Sequence, residues 1–547
     1  MARIEDPPLT LPLNIWQQAL ENLRRFGSSD FYPQSPDYDA LSVHWPYWSS
    51  YLASLNLINH KASGKRNFAV PKSLNDYRIT AIVEAIDSII YTALALHFGA
   101  RVEQRRIPAE RNVVFSHRFD PDNNGRLFSP SPGWQEFTDA RYFRADRAEC
   151  SFVVNTDIND YYNSISLHRV ENILENCGIP RSEAEMLERF LTQLNNKSSR
   201  GIPIGPAASA LFAECALIDL DNHLSQRFQY VRFIDDMSFF CSSRREANEI
   251  LEELSKYLYS VERLSLNSQK TRVYSADEFQ ARFGFSDEER EDTEHTRRTE
   301  TRINELTRTE TVTEIDGYSG REIEVEVEIL EEDPDTIRND ELRDLLRTYV
   351  TRVLNGRSRV SSRLKHAVRR ATQLRSDCLI DLVIDNLNKF TYIFGDVVRY
   401  LEVVARRLNG HQISVLLRFA RESEVHSLEY IKEWTASLFY KLYVIRGDVA
   451  LKEFVQNLDE SYAFRYKALI AIHDRDRSWF LPYRESWSRY PEEERRMIIY
   501  ASSVLGTTER RFFLNAVREI GSEMDKGYGI LADNAARRAE EQANGRS

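Results

Sequence analysis

Apolar and polar residues change rhythm three times along the chain. Residues 1–64 combine Pro, Tyr and Trp with short amphipathic stretches such as LNIWQQALENLRRF, which predicts a helical and loop-rich N-terminal segment. Residues 65–275 alternate apolar runs of strand length with amphipathic segments of helix length, a mixture of strands and helices in one domain. Within residues 276–340, REIEVEVEIL alternates strictly, with Ile323, Val325, Val327 and Ile329 on one face and glutamates on the other. That period of two predicts a half-buried strand, paired with ETVTEI across DGYSG. From 341 to 547 the period becomes helical: Val397, Leu401, Val404 and Leu408 make one stripe, and similar segments recur through 360–375, 378–390, 411–445, 448–474, 491–504 and 507–520. A repeat-like stack of helix pairs is the architecture this predicts for the last segment.

The chain has 547 residues, 42% of them hydrophobic and 11% aromatic, which is enough for two or three separate cores. No apolar run approaches the roughly 18–20 residues that span a bilayer, so no membrane association is expected. The N-terminus lacks the charged-then-apolar order of a secretion signal. The 5 cysteines, Cys150, Cys177, Cys215, Cys241 and Cys378, show no CxxC spacing. They read as reduced thiols of a cytoplasmic protein without a zinc site. The net charge of −11 is concentrated: residues 287–335 hold 19 acidic and 6 basic residues, a local −13 that leaves the remainder at +2. A nucleic-acid groove is therefore compatible with the rest of the chain. The acidic segment itself reads as a surface linker or β insertion, or as an acidic mimic of nucleic acid.

The chemistry-bearing residues lie in the mixed segment. In YVRFIDDMSFF, residues 230–240, Asp235 and Asp236 stand side by side inside an apolar run. Like charges in such a place need either an exposed hairpin turn or a bound cation. A third carboxylate, Asp157, closes the apolar FVV run in SFVVNTDINDYYNSI; alone, it reads equally as a helix cap. Together the aspartates offer the all-oxygen donor set that Mg²⁺ takes alongside substrate phosphates. Between them, RGIPIGPAASALFAE places Gly201 and Gly205 around Pro203, and Pro206 opens a helix with a small-residue face. LSLNSQKT follows at residues 264–271.

In this order, the strand-Asp, the Gly-Pro loop and helix, the apolar-Asp-Asp-apolar hairpin and LSLNSQKT resemble the palm of reverse transcriptases. Phe233-Ile234-Asp235-Asp236 resembles the family's aromatic-x-Asp-Asp box, with Phe in place of the commoner Tyr. FAVPKSLNDYRIT and VVFSHRF resemble its fingers motifs. The resemblance implies an α+β fold, with a right-hand polymerase palm and fingers followed by an all-α C-terminal domain. It implies two Mg²⁺ ions, with Mn²⁺ as a substitute, held by Asp157, Asp235, Asp236 and the backbone carbonyl of Ile158. Lys270 would protonate pyrophosphate. Arg78, Arg118 and Lys72 would bind the triphosphate of a deoxynucleotide, with Gly201 and Pro203 beside it. Tyr162, five residues after Asp157, would exclude a 2′-hydroxyl.

No integrase, RNase H or homing-endonuclease pattern follows residue 275. With a helical region there instead, and with the spellings VFSHRF, TDINDYYNSI and GIPIGPAASALFAE, the chain resembles the abortive-infection and related defence reverse transcriptases of bacteria. That resemblance implies antiphage defence, homo-oligomers and template-free DNA synthesis primed from a protein tyrosine, with the DNA product left covalently attached. Tyr528 in DKGYGI, and Tyr32 and Tyr38 in DFYPQSPDYD, are the priming candidates because their neighbours suggest flexible loops. Two other readings stay open: a retron-like enzyme copying a dedicated noncoding RNA, and an idle palm whose helical region is a binding scaffold.

Overall fold

A computed structural model describes residues 7–73, 76–122, 125–283, the backbone of strands 307–315 and 322–330, parts of 343–354, and 361–544. The chain forms two compact units, neither of them continuous: Met1–Ser29, Pro46–Phe68 and Ile79–Glu291 make the first, and Asp30–Trp45, Ala69–Arg78 and Asp292–Ser547 the second.

The N-terminal helix runs Leu13–Phe26 and buries Trp16, Ala19, Leu20 and Leu23, the residues that its apolar spacing puts on one face. It packs on the long helix Ala85–Arg105, which also meets helix Ala207–Ala216. Strands β1 (Lys65–Ser73) and β2 (Asp76–Val83) form a two-stranded sheet. The centre of the first unit is a four-stranded antiparallel sheet of β3 (Phe152–Asp157), β4 (Tyr230–Phe233), β5 (Asp236–Cys241) and β6 (Arg272–Ser275), in the order β4-β5-β3-β6. Val153, Val231 and Phe240 of this sheet share a core with Phe115, Phe137 and Phe279. Helix Arg244–Tyr257 packs on β3 and β5, and helix Trp134–Ala145 on β4 and β5. Both faces of the sheet are thus covered by helices, which explains why FVV and YV read as continuous apolar runs rather than alternating ones.

In the second unit, alternate helices pack on one another: Ser361–Gln373 on Phe394–Val403, then Glu429–Arg446, Ala463–Asp474, Glu492–Ala501 and finally Glu523–Asn544, with one shorter or flanking helix between each pair in sequence. Val397, Leu401, Val404 and Leu408 are buried. The helical segments are shorter than their periodicity suggests. Residues 411–445 divide at Ser423–Leu428, and residues 378–390 yield only Ile380–Ile384 before a turn of 3₁₀-helix. Among the described residues no helix is long and apolar enough to cross a membrane. Strands β7 (Thr307–Ile315) and β8 (Glu322–Leu330) pair antiparallel with Val312 opposite Val325. Their side chains, and the remainder of the acidic segment, lie outside the described residues.

Candidate active site

Asp157 is the last residue of β3 and Asp236 the first of β5, and the two are register partners. Asp235 occupies the turn between β4 and β5. Carboxylate oxygens of the three lie within 4.8 Å of one another, and among the described residues this is the one such cluster able to hold a metal ion. The turn is tight enough to force Ile234 to φ +54°. A β-branched residue there costs on the order of 1–3 kcal/mol and persists only where its surroundings hold it.

Burial, followed by the adjacent carboxylates of Asp236 and Asp157, pushes the Asp235 carboxyl up to about 7. Lys270 is a cation at the site, its Nζ lying 2.5 Å from Asp157 Oδ2, and the buried guanidinium of Arg141 is near enough to Asp236 to feel its charge. Burial alone would lower the lysine's proton affinity, but Asp157, Asp236 and Asp235 more than offset it and raise it. Lys270 and Arg141 face three converging carboxylates, which still offer a cluster of hard oxygen donors. That is the donor chemistry of a Mg²⁺ site. Asn267 also grips Asp157: its backbone N–H donates to the Asp157 carbonyl at 2.8 Å and its Nδ2 to Oδ1 at 3.3 Å. The Ile158 N–H donates to the Asp235 carbonyl at 3.3 Å, tying the two strand ends together.

The structure brings Tyr162, Gly201 and Pro203 into one neighbourhood. The Ile202 N–H donates to the Tyr162 carbonyl and the Gly201 N–H to Ile165, both at 2.8 Å, and Pro203 is buried. Gly201 has φ +94°, and a Cβ there would sit 3.2 Å from the Asn163 carbonyl, so the close approach requires glycine. Phe233 packs edge-on to Trp134 at 5.1 Å and also against Phe137. An aromatic ring therefore fits this position without a phenolic hydroxyl.

Other expected residues stand elsewhere. Arg118 is only 4% exposed, and its guanidinium donates to Glu103 Oε1 at 2.8 Å and the Val114 carbonyl at 2.9 Å. It faces the interior, contrary to the expectation of an arginine presented to a triphosphate; a buried guanidinium needs its carboxylate partner. Lys72 and Arg78 are exposed and fall in the second unit. Lys72 Nζ lies 3.5 Å from Asp76, and the Arg78 guanidinium sits 6.0 Å from the Phe31 ring centre. The priming candidates, also in the second unit, are buried: Tyr528, Tyr38 and Tyr32 are 1%, 3% and 6% exposed, with Tyr32 in a loop as expected and Tyr38 in helix Asp37–Val43. Tyr528 lies inside helix Glu523–Asn544 and its hydroxyl donates to Asp37 Oδ1 at 2.8 Å. Burial, then Asp37, holds that hydroxyl's pKa far above the usual tyrosine value. The glycines that suggested flexibility are helical, and Gly527 lets the helix approach the Ala40 carbonyl, which a Cβ would meet at 3.0 Å.

Sequence reasoning missed a buried ion network behind the Asp-Asp turn. Arg232, wholly buried, donates from Nε to Asp221 Oδ1 at 2.9 Å, from Nη2 to Glu214 Oε2 at 2.9 Å, and from Nη1 to the Ile234 carbonyl at 2.7 Å. Arg106 Nη2 reaches the same Glu214 oxygen at 2.8 Å. An arginine within the apolar strand YVRF was the one available signal.

Residues 70–304 match the family model described as reverse transcriptase (RNA-dependent DNA polymerase). Fold and site together define the class: an α+β chain with a right-hand polymerase palm and fingers followed by a helical region. No curated protein matches the chain. Among solved structures it is similar to a telomerase from Candida albicans, in complex with a TWJ fragment of telomeric RNA, at 10% identity and TM-score 0.30, covering 77% of this chain and 70% of that one. It is also similar to an apo telomerase from Candida tropicalis, at 9% identity and TM-score 0.31, covering 91% and 74%.

Proposed function

We propose that this chain is a DNA polymerase of the reverse transcriptase type, joining deoxynucleotides by attack of a hydroxyl on the α-phosphate with release of pyrophosphate. The observation that carries the reading is the convergence of Asp157, Asp235 and Asp236 within 4.8 Å at adjoining strand ends of a reverse transcriptase domain. Two Mg²⁺ ions bound there would supply charge stabilisation to the attacking and leaving oxygens. Asp157 and Asp235 would hold them with Asp236 assisting, and Asn267 orients Asp157. Lys270, charged and beside Asp157, donates a proton to the departing pyrophosphate. Tyr162 packs at the sugar and rejects a 2′-hydroxyl, with Gly201 and Pro203 framing the nucleotide.

The motif spellings and the helical unit support antiphage defence by abortive infection as the setting. There the chain works in the cytoplasm as a homo-oligomer, making protein-primed, template-independent DNA. Priming from Tyr528 would require helix Glu523–Asn544 to release the hydroxyl from Asp37. The description of the matched family favours a second reading, templated copying of a dedicated noncoding RNA. The scaffold reading is disfavoured by the complete aspartate triad.

The test is incubation of purified protein with Mg²⁺ and labelled deoxynucleotides, without template or primer, beside Asp235→Ala. Label that survives denaturation on the protein and is released by nuclease supports protein priming. Incorporation only on an added or copurified RNA supports the templated enzyme. No incorporation in either setting refutes both.

A further inference from the structure

We infer that Ser116, Arg232 and Glu214 are positioning residues for the metal-binding aspartates, acting through the backbone of Ile234. The inference rests on the polymerase reading of the triad and deepens it. Ile234 immediately precedes Asp235 and is held at φ +54°. Both of its backbone polar groups are taken by side chains. Its N–H donates to Ser116 Oγ at 2.9 Å and its carbonyl accepts from Arg232 Nη1 at 2.7 Å. The two grips meet on one carboxylate: the Ser116 hydroxyl donates to Glu214 Oε1, and Arg232 Nη2 donates to Glu214 Oε2 at 2.9 Å.

The directions are set by elementary valence. A serine hydroxyl carries one proton, and with that proton committed to Glu214, its lone pair is left to receive the Ile234 N–H. Glu214 remains ionised although buried: desolvation would raise its pKa, but Arg232, Arg106 and His117 bring it down to about 2. The grip therefore persists across the neutral range. A β-branched residue released from a left-handed conformation relaxes toward extended backbone, and Asp235, one peptide further on, moves with it. The Asp235 carbonyl is in turn bonded to the Ile158 N–H at 3.3 Å, so the turn is tied to the Asp157 strand on its other side. Glu214 lies on helix Ala207–Ala216, which directly follows the Gly201–Pro206 loop. One carboxylate thus links the helix behind the nucleotide loop to the turn that carries the metal ligands.

A double-mutant cycle tests this on the full-length protein. Mn²⁺ affinity, followed by electron paramagnetic resonance, is measured for wild type, Ser116→Ala, Ile234→Gly and the double variant. Glycine adopts φ +54° without strain, so its turn needs no grip. Ser116→Ala is expected to weaken Mn²⁺ binding about tenfold in the Ile234 background, and less than about threefold in the Ile234→Gly background. Unchanged affinity in Ser116→Ala, or the same fold-loss in both backgrounds, overturns the inference, since a residue that only supports folding acts equally on either turn. Should Ser116→Ala fail to fold, Glu214→Gln takes its place in the cycle with the same expectations. Nucleotide incorporation, measured on the same preparations, separates the two claims. A wild type that binds Mn²⁺ but incorporates nothing refutes the polymerase reading, while the four affinities still decide this one. A wild type that binds no Mn²⁺ refutes both.

Discussion

Lys270 Nζ lies 2.5 Å from Asp157 Oδ2, across 113 residues of sequence, and so places one ammonium against the carboxylate that ends the central strand. Its neighbours hold the ammonium charged through the neutral range. Lys270→Gln is therefore expected to lower kcat about a hundredfold with little change in KM for deoxynucleotide, because the lost proton donor acts in the transition state. Steady-state kinetics check this; an equal rise in KM at constant kcat would place Lys270 in binding instead.

Asp235 gives a pH signature in the metal-free protein. Its folded pKa, about 7, lies above its unfolded value of 3.8. As pH rises between these values the unfolded chain ionises first, so stability falls through that window and the loss is complete above it. The loss is on the order of 4 kcal/mol at most. In chelator at pH 8, Asp235→Asn is expected to melt higher than wild type, with the gap closing near pH 4. Mg²⁺ should raise the melting temperature of wild type more than that of the variant. Thermal melts at the two pH values, with and without Mg²⁺, decide it.

Tyr162 shares its turn with the Gly201 loop, since the Ile202 N–H bonds its carbonyl. Shortening the side chain would open the proposed sugar position without breaking that backbone contact. Tyr162→Ala is expected to reduce the preference for deoxy- over ribonucleotides by about tenfold or more, read as a ratio of kcat/KM values. An unchanged ratio would make Tyr162 a packing residue only.

Arg118→Ala removes a buried guanidinium with its bonds to Glu103 and the Val114 carbonyl, and leaves the Glu103 carboxylate to Arg106 and the Phe119 N–H. A loss of about 3 kcal/mol is expected in denaturant titration, with KM for nucleotide unchanged in the folded fraction. A raised KM at full stability would restore the triphosphate role.

Tyr528→Phe deletes the hydroxyl that donates to Asp37 and leaves that carboxylate to Arg496 and Ser35. Stability should fall by about 1 kcal/mol, and labelled DNA should remain attached to the protein. Loss of attached label at unchanged stability would make Tyr528 the primer after all.

The aspartates were readable because they break a local rule: charges interrupt apolar runs at Asp157 and Asp235-Asp236, and each interruption sits at the end of its own strand. The strands themselves were readable from FVV and YVRF, buried on both faces. The network behind the turn was not, because Ser116 and Glu214 are 98 residues apart and neither looks unusual in its own segment. Arg118 misled because basic residues look alike in sequence whether they face a ligand or Glu103. Tyr528 misled because glycine permits flexibility without requiring it. At Gly527 it serves a close helix contact instead.

The partition of the chain sets a timetable for its synthesis. Asp37, early in the chain, waits 491 residues for the Tyr528 hydroxyl that it accepts. At about 5–20 residues per second, that delay is on the order of 25–100 seconds. Over that interval helix Asp37–Val43 has no Glu523–Asn544 to cover it, and its buried Tyr38 and Leu41 stay open to solvent or to other nascent chains. The second unit therefore cannot close until helix Glu523–Asn544 has been made, and synthesis that stops short of that helix leaves the four-stranded sheet of the first unit complete and the second unit open.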